Sequence, residues 1–241
     1  MIKNIVTCGC SWMAGAGAYL SDTERLSALF AKKYNAEDIN LAKEGGSNDR
    51  IVRKITNWFV GNKDKLDETL FLIGLTEPQR FEIWSPGPVT VNTNDNIKKV
   101  KLSFIVKHPG RYSRIDYLIQ DVMGVWATVG VERTLREIFL LTTLFEKYNC
   151  KYIIFDAMDN LKEITRRKNE YFDTVFSNKN YYSKESWQEF CSPRGKGLFA
   201  AEDERMHQGT NYSPDWGHPS AKGNQKWFEV LLDYNEENKL W

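Results

Sequence analysis

A serine near the start of the chain and a histidine near its end have surroundings that suggest catalysis. Ser11 follows an apolar run, residues 2–8, that ends at Gly9. His218 lies three residues after Asp215, in the stretch Asp-Trp-Gly-His. A serine hydroxyl becomes a useful nucleophile only when a base removes its proton, and a carboxylate can orient that base. The sequence therefore predicts an acyl-transfer site if the two ends of the chain meet.

Two further polar stretches provide groups that such a site needs. The segment 45–48 follows a predicted strand, the segment 74–77 lies at the end of another, and both begin with glycine. Acyl transfer requires hydrogen-bond donors aimed at the oxyanion, each contributing about 3 kcal/mol. A glycine also lets the backbone approach a substrate closely. The candidate donors are the backbone N–H groups of Ser11 and Gly46 and the side chains of Asn48 and Thr76.

Strand-like and helix-like segments alternate along the chain, which predicts an α/β fold with a parallel sheet. Open sheets of this type hold their sites at the carboxyl ends of the strands, so the polar stretches should meet at one edge. The predicted strands are 2–8, 38–42, 67–75 and 151–156. The predicted helices are 21–34, one that begins at Ser47 or Asn48, 131–148 and 219–234.

Two longer stretches interrupt this alternation and are predicted to be insertions in one domain spanning 1–241. The first covers about 79–116, and its residues 83–106 have the turns and alternating pattern of a β-hairpin. The second covers about 157–210. Its residues 161–207 are polar and irregular with short aromatic clusters, which favours an insertion or lid over one edge of the sheet.

The polar stretches resemble, in order along the chain, the sequence blocks of the SGNH (GDSL-type) hydrolases. The matching residues are Gly9-Cys10-Ser11, Gly46, Gly74-Leu75-Thr76-Glu77 in part, and Asp215-Trp216-Gly217-His218. The resemblance spans nearly the whole chain. It implies a three-layer α/β/α, flavodoxin-like fold and an esterase in which Ser11 is the nucleophile, His218 the base and Asp215 the group that orients the base.

Two of these blocks depart from the family pattern. Cys10 replaces the aspartate beside the nucleophile, and Thr76 replaces the asparagine that donates to the oxyanion. The Gly-x-Thr variant followed by Arg-Phe-Glu at 80–82 is most similar to uncharacterised SGNH-like proteins of tailed bacteriophages. The resemblance implies an ester substrate, with a carbohydrate O-acetyl ester as one option. The candidate substrate contacts are Trp12, Glu77 and Arg80.

A second hypothesis is a non-catalytic protein that keeps this fold as a virion structural or glycan-binding protein. Under it, Ser11 is a turn serine, His218 a residue at a helix start and Asp215 a turn or cap residue. Cys10 is an alternative nucleophile, but strand alternation points it away from the direction that Ser11 takes. Trp12 either lines an acyl pocket or packs under the first helix.

The remaining charged residues have structural explanations that compete with functional ones. An ion-pair network of Glu77, Arg80 and Glu82 is favoured over substrate binding. Asp156, Asp159 and Asn160 follow a strand and are a weak candidate for a metal site, so we expect no metal and no other cofactor. His108 and His207 are predicted to be surface residues.

Composition excludes several classes of partner and site. The net charge of +1 argues against nucleic acid or a membrane surface as partner, which leaves a small-molecule or glycan ester and, under the second hypothesis, other virion proteins. The four cysteines lack metal-site spacing and are expected to be reduced. No run reaches the ~18 apolar residues of a membrane span, and no signal peptide is evident. We expect synthesis in the cytoplasm, with virion association as a further possibility.

Overall fold

The computed structural model describes residues 1–15, 21–78, 80–84, 88–91, 126–158, 160–165, 170–191, 218–219 and 221–241, with the backbone alone at 81–84, 88–91 and 126–129. The strands are β1 (Asn4–Cys8), β2 (Glu37–Asn40), β3 (Thr69–Leu75), β4 (Phe81–Trp84), β5 (Pro88–Val91), β6 (Lys151–Asp156) and β7 (Tyr181–Tyr182). The helices are α1 (Ser11–Ala14), α2 (Leu26–Tyr34), α3 (Asn48–Gly61), α4 (Trp126–Lys147), α5 (Leu161–Ile164), α6 (Phe172–Ser177), α7 (Trp187–Cys191) and α8 (Ala221–Asn238). A short 3₁₀ helix, Lys63–Glu68, precedes β3.

Five of these strands form one parallel sheet in the order β2-β1-β3-β6-β7. Val6 of β1 pairs with Ile39 on one side and with Phe71 on the other. β3 continues the sheet by pairing with β6, from Leu70–Lys151 to Leu75–Asp156. All carboxyl ends therefore lie at one edge, as the sequence predicted. The α/β class with a parallel central sheet is confirmed.

Each face of the sheet is covered by a helical layer, because successive strand residues alternate between the two faces. On one face, α2 and α8 bury their apolar sides over residues such as Ile5 and Leu72. On the other, α3 and α4 cover residues such as Val6 and Ile73. β3 is buried along its whole length, as expected for a central strand covered on both faces. The result is the three-layer α/β/α arrangement.

The first long helix begins later than the sequence suggested. Ser21 forms a turn with Glu24, whose carboxylate accepts from the Ser21 N–H at 2.9 Å. Arg25 is extended and precedes the helix, so α2 starts at Leu26 and not near Ser21. In this position the Arg25 guanidinium bonds Asp38 of the neighbouring strand, with Nε 3.2 Å from Oδ2.

The segment predicted to be an irregular lid contributes to the fold instead. Tyr181 and Tyr182 form β7, which pairs in parallel with Ile154 and Phe155 of β6 and so adds a fifth strand. Trp187 of α7 is fully buried and stacks on Trp227 of α8, with ring centroids 6.0 Å apart. The lid interpretation is therefore wrong for residues 181–191, and residues 192–210 lie outside the described part of the chain.

The other predicted elements largely agree with the structure. β4 and β5 form an antiparallel hairpin, as predicted for this stretch, while residues 92–106 lie outside the described residues. α4 begins at Trp126, five residues before the predicted start. α8 continues to Asn238, beyond the predicted end near Tyr234. Among the described helices, none combines the length and apolar character that crossing a membrane would require.

Candidate active site

Ser11 occupies the first position of α1, just beyond the carboxyl end of β1. The helix is a single turn, in which the Ala14 N–H donates to the Cys10 carbonyl at 3.0 Å. Gly15 ends it with a φ of 75°. The N–H groups of the first helical turn have no acceptor inside their own helix, so the Ser11 N–H remains a candidate donor for an oxyanion.

Two glycines make room for this turn at the edge of the sheet. The Met13 side chain is fully buried and lies over both of them. A Cβ on Gly9 would lie 2.7 Å from the Met13 Cβ, and a Cβ on Gly74 would lie 2.9 Å from the Met13 sulfur. Both distances are too short for real atoms, so the one-turn helix can approach β1 and β3 only because neither position carries a side chain.

The loop after β2 is joined to the end of β1 by backbone hydrogen bonds. The Leu41 N–H donates to the Thr7 carbonyl at 2.8 Å, and the Lys43 N–H donates to the Gly9 carbonyl at 3.2 Å. These bonds continue the parallel pairing beyond the last sheet residues. The loop that carries Gly46 is therefore fixed beside the turn that carries Ser11.

Gly46 of this loop lies against the nucleophile turn. A Cβ at this position would be 3.0 Å from the Gly9 carbonyl oxygen and 3.7 Å from the Cys10 Cα. The Gly46 N–H donates to the Lys43 carbonyl at 2.9 Å, closing a turn in which Gly45 has a φ of 66°. An oxyanion would have to share this N–H with Lys43, because the donor is already engaged inside its own loop.

Asn48 was predicted to donate to the oxyanion, and the structure corrects this prediction. Its side chain is almost fully buried, and its Nδ2 donates to the Thr76 carbonyl at 3.0 Å and to the Thr134 hydroxyl at 3.3 Å. Its Oδ1 accepts from the Thr76 N–H at 2.9 Å. Both amide hydrogens are thus used, and the side chain holds the backbone at the end of β3. The N-cap of α3 is Ser47, whose hydroxyl accepts from the Arg50 N–H at 3.3 Å.

The Thr76 hydroxyl is a donor that could turn from its present acceptor to an oxyanion. Its hydroxyl lies 3.3 Å from the Met158 sulfur and donates to it. A thioether is a weak acceptor, whereas an oxyanion is a strong one. The Thr76 side chain is nearly fully buried, so its hydroxyl would have to rotate from the sulfur towards a substrate. The role of Thr76 in an oxyanion hole stays a prediction.

His218 lies beside the residue that follows Ser11. The centroids of the His218 and Trp12 rings are 6.5 Å apart, with the planes inclined by 40°. Burial lowers the pKa of His218 below its ordinary value of 6.5, Glu44 raises it through its negative charge, and Arg80 lowers it through its positive charge. The two ends of the chain therefore meet here, although Asp215 lies outside the described residues.

Glu77 and Arg80 form an ion pair at the loop after β3, as the sequence analysis favoured. The Arg80 Nε lies 2.8 Å from the Glu77 Oε2, and both side chains are about nine-tenths buried. Arg133 of α4 supports the loop by donating to the Pro78 and Arg80 carbonyls at 3.1 and 2.8 Å. The side chain of Glu82, the third predicted member, is outside the described part.

Trp12 is largely buried, and its ring makes an edge contact with Trp187 at 5.4 Å. It thus packs into the core and also lies beside the His218 imidazole. Cys10 is fully buried in the same core cluster, which is consistent with its predicted direction away from Ser11. All four cysteines are buried and unpaired, as predicted for structural thiols.

The weak metal candidate after β6 has other partners. Asp156 Oδ1 accepts from the Tyr181 hydroxyl at 2.7 Å, and its Oδ2 accepts from the Leu161 N–H at 3.0 Å. Asn160 caps α5 by accepting from the Glu163 N–H. Within the described residues, no group of three or more metal-binding side chains comes together. Asp159, His108 and His207 lie outside those residues.

Sequence reasoning missed three residues that the structure brings to this edge. Asn40, at the end of β2, bonds the nucleophile turn, Glu44 influences His218, and Arg133 supports the loop after β3. Asn40 has a recognisable signal, since polar residues at the carboxyl end of a parallel strand face the site edge. Glu44 and Arg133 have none, because their proximity arises only from the folded chain.

Solved structures with a similar fold include a lipolytic protein of the G-D-S-L family and an esterase. The crystal structure of TesA matches with a TM-score of 0.50 at 10% identity, over 98% of this chain and 99% of that one. A putative lipolytic protein of the G-D-S-L family from Desulfitobacterium hafniense matches with a TM-score of 0.52 at 11% identity, over 96% and 99%. An acetyl xylan esterase, Est2A, from the rumen bacterium Butyrivibrio proteoclasticus matches with a TM-score of 0.50 at 12% identity, over 98% of this chain and 64% of that one. At such identities the likeness shows the fold alone.

The family model that matches the sequence covers residues 17–192 and is described as a family of unknown function, DUF6071. This span includes Gly46 and Thr76 but ends before His218 and starts after Ser11. None of the curated protein sequences matches the chain. Because the matched span is well over half of the 241 residues, the chain belongs to this family of unknown function, DUF6071, and it has the fold of the SGNH hydrolases.

Proposed function

We propose that this protein is a serine hydrolase that cleaves an ester, with Ser11 as nucleophile and His218 as general base. The observation that carries the proposal is the contact between His218 and Trp12. It brings an imidazole from the C-terminal part of the chain to the residue that follows Ser11 in the one-turn helix α1. Asp215 is proposed to orient the imidazole, as in the Asp-x-x-His block of the family that the sequence resembles.

The protonation state of His218 supports this role. Burial is the main cause that lowers its pKa below 6.5, and this favours the neutral form of the imidazole. A general base must be unprotonated to accept the hydroxyl proton of the serine. The same proton is then delivered to the leaving alcohol as the acyl-enzyme forms, and water completes the cycle by attacking the acyl group.

The proposed oxyanion donors are the N–H groups of Ser11 and Gly46 and the hydroxyl of Thr76. Gly46 lies against the Gly9 carbonyl, next to the turn, and its N–H would be shared with Lys43. The Thr76 hydroxyl would leave the Met158 sulfur for the stronger acceptor. Asn48 is not a member of this set, since it holds the backbone of Thr76.

We propose a carbohydrate O-acetyl ester as the substrate class. One solved structure of the same fold is an acetyl xylan esterase, which acts on such an ester. Trp12 presents an aromatic ring beside the imidazole, and the charge of Arg80 reaches the same imidazole. These residues, together with Glu77, are the proposed substrate contacts. Association with a bacteriophage particle is a further proposal from the sequence resemblance, and it would be tested by looking for the protein in purified particles.

The experiment that tests the proposed function is labelling with a fluorophosphonate probe, combined with hydrolysis of short aryl esters. The wild type and a Ser177→Ala control, which changes an exposed serine at the end of α6, should label and hydrolyse equally. Ser11→Ala should lose both reactions, and His218→Gln should reduce both by at least ~10³-fold. Equal labelling of the wild type and Ser11→Ala would remove Ser11 from the mechanism. Preference for acetyl over longer acyl groups would support the substrate class.

A further inference from the structure

Asn40 connects the end of β2 to the helix that carries Ser11. Its Nδ2 donates to the Met13 carbonyl at 2.9 Å, and its Oδ1 accepts from the Ala42 N–H at 2.9 Å. The side chain is half-buried between the two loops. It therefore bridges two backbone segments that both border the candidate active site, and it does so with both ends of its amide.

A partly buried hydrogen-bond chain fixes the orientation of this amide. The Ser27 hydroxyl lies 3.4 Å from the Asn40 Nδ2 and donates its single hydrogen to Asp38 Oδ2 at 3.1 Å. Its oxygen is therefore left to accept from Asn40. Asp38 in turn accepts from the Arg25 Nε at 3.2 Å. The order Arg25, Asp38, Ser27, Asn40 directs the NH₂ group, and not the amide oxygen, towards Met13.

The Met13 carbonyl is the group by which the one-turn helix α1 can be held from outside. The Gly15 N–H donates to the Ser11 and Trp12 carbonyls of α1, whereas the Met13 carbonyl accepts from Asn40. The bond between the Ala14 N–H and the Cys10 carbonyl closes the turn from within. Asn40 fixes that turn relative to β2, and thus relative to the loop that carries Gly46.

We propose that Asn40 is a positioning residue for the nucleophile: its bond to the Met13 carbonyl sets the direction of α1 and, through it, the Ser11 hydroxyl and N–H. This inference rests on the proposed function of Ser11. A displacement of about 1 Å in a reacting group can lower a rate ~10²-fold, so one well-placed bond of this kind affects catalysis more than stability.

The test compares Asn40→Asp with a matched control, Asn62→Asp. The Asn62 Nδ2 donates to the Trp58 carbonyl at 2.8 Å at the far end of α3, and its side chain is also half-buried. Each substitution replaces an amide donor with a carboxylate oxygen that repels the same type of carbonyl. At position 40 the carboxylate can still accept from the Ala42 N–H. Both variants lose an amide bond to a backbone carbonyl, and Asn40→Asp also loses the 3.4 Å bond to the Ser27 hydroxyl.

For hydrolysis of a short aryl ester, Asn40→Asp should lower kcat about 10- to 100-fold with KM within about twofold of wild type. Asn62→Asp should leave both constants unchanged, while thermal unfolding shows that each variant is folded at the assay temperature. A kcat for Asn40→Asp equal to that of Asn62→Asp would overturn the positioning role.

If the wild type neither hydrolyses esters nor reacts with the fluorophosphonate probe, the proposed function is wrong, whatever holds α1 in place. Hydrogen–deuterium exchange of peptides that cover residues 11–15 then tests whether the bond from Asn40 holds α1 in place. Faster exchange there in Asn40→Asp than in Asn62→Asp supports the bond as the element that holds α1. Identical exchange in the two variants would reject it.

Discussion

The loops around Ser11 are joined by hydrogen bonds, whereas His218 is surrounded by an aromatic ring and by two charges. On the Ser11 side, backbone and amide bonds link β1, β2 and β3 at 2.8 to 3.2 Å. On the His218 side, Trp12 contacts the imidazole, and Glu44 and Arg80 act on it in opposite directions. Hydrogen bonds therefore hold the Ser11 side of the candidate site, whereas charges and an aromatic contact act on its His218 side.

Hydrogen bonds depend steeply on distance and angle, while the interaction between charges declines slowly with distance. Changes to the fully buried bonds on the Ser11 side, such as those of Asn48, should therefore appear mainly as losses of stability, because buried backbone groups lose their partners. Changes near His218 should appear mainly as shifts of its pKa, with little effect on folding. The following predictions test this division, beginning with the largest expected effect.

Asn48→Ala should be the most destabilising of these changes. It removes the partners of both the N–H and the carbonyl of Thr76, which are buried, so we expect a loss of about 2–4 kcal/mol in the free energy of unfolding. Asn160→Ala is the matched control, since this asparagine is also buried and its side chain caps α5 by accepting from the Glu163 N–H. Its expected loss is about 1 kcal/mol. Urea unfolding measures both, and equal losses would contradict the role assigned to Asn48.

Gly74→Ala should cost about 1–3 kcal/mol, because its Cβ would lie 2.7 Å from the Met13 Cγ and 3.3 Å from the Ala157 Cβ. Gly61→Ala, at the last residue of α3, is the control: no atom lies within 4 Å of its added Cβ. That variant should be as stable as wild type or up to ~1 kcal/mol more stable. Adding Met13→Ala to Gly74→Ala should cost less than the sum of the two single changes, and strict additivity would mean that the two residues do not compete for space.

A buried carboxyl pair between α3 and α4 predicts a pH dependence of stability. Burial first, and then the neighbouring Asp49, raise the pKa of Glu137 to about 8, whereas Arg133 and Arg136 oppose the rise. Between pH 4.5 and 8 the folded chain keeps a proton that the unfolded chain releases, so the folded state loses stability as pH rises through this window.

Glu137→Gln should remove this contribution. Between pH 5 and pH 8.5 the wild type should lose about 1–3 kcal/mol more unfolding free energy than the variant does. Glu132→Gln, which changes an exposed glutamate on the same helix, should follow the wild type. Urea unfolding at several pH values gives the comparison. Parallel curves for the wild type and Glu137→Gln would show that Glu137 ionises normally in the folded chain.

Elements that depend on local sequence patterns were predicted from the sequence, and elements that depend on tertiary contacts were not. The turn at Ser11 and the strand from Lys151 to Asp156 were predicted correctly, and the cap of α3 is Ser47, one of the two residues predicted for it. Each of these features depends on a local pattern of apolar residues, glycines and capping side chains. β7 was missed because a strand of two residues has no periodicity. It exists only through its pairing with Ile154 and Phe155.

Asn48 shows why the site was harder to predict than the fold. The sequence placed a polar amide at the correct edge of the sheet, and the structure agrees. Whether an amide at that edge faces a substrate or the backbone of the next strand is decided by a few ångströms, which depend on how β3 and α4 pack. The sequence indicates the edge of the sheet at which groups gather, but not which of them are already engaged.

The smallest predicted effect is the one that reports most directly on His218. The carboxylate of Glu44 raises the pKa of His218, so removing its charge with Glu44→Gln should move that pKa further below 6.5. Glu44 is exposed and its charge is screened by salt, so we expect a small downward shift of the pKa, which should shrink at ~1 M salt.

NMR titration of the imidazole, assigned with His218→Gln, measures this shift whether or not the protein is active. Glu37→Gln is the control, because Glu37 is also exposed but begins β2 at the opposite edge of the sheet. It should leave the titration unchanged. If kcat/KM for an ester falls on the acid side with the same midpoint and moves with Glu44→Gln, the base in the reaction is His218. If the midpoint of kcat/KM stays fixed while the imidazole titration moves, the reaction uses another base.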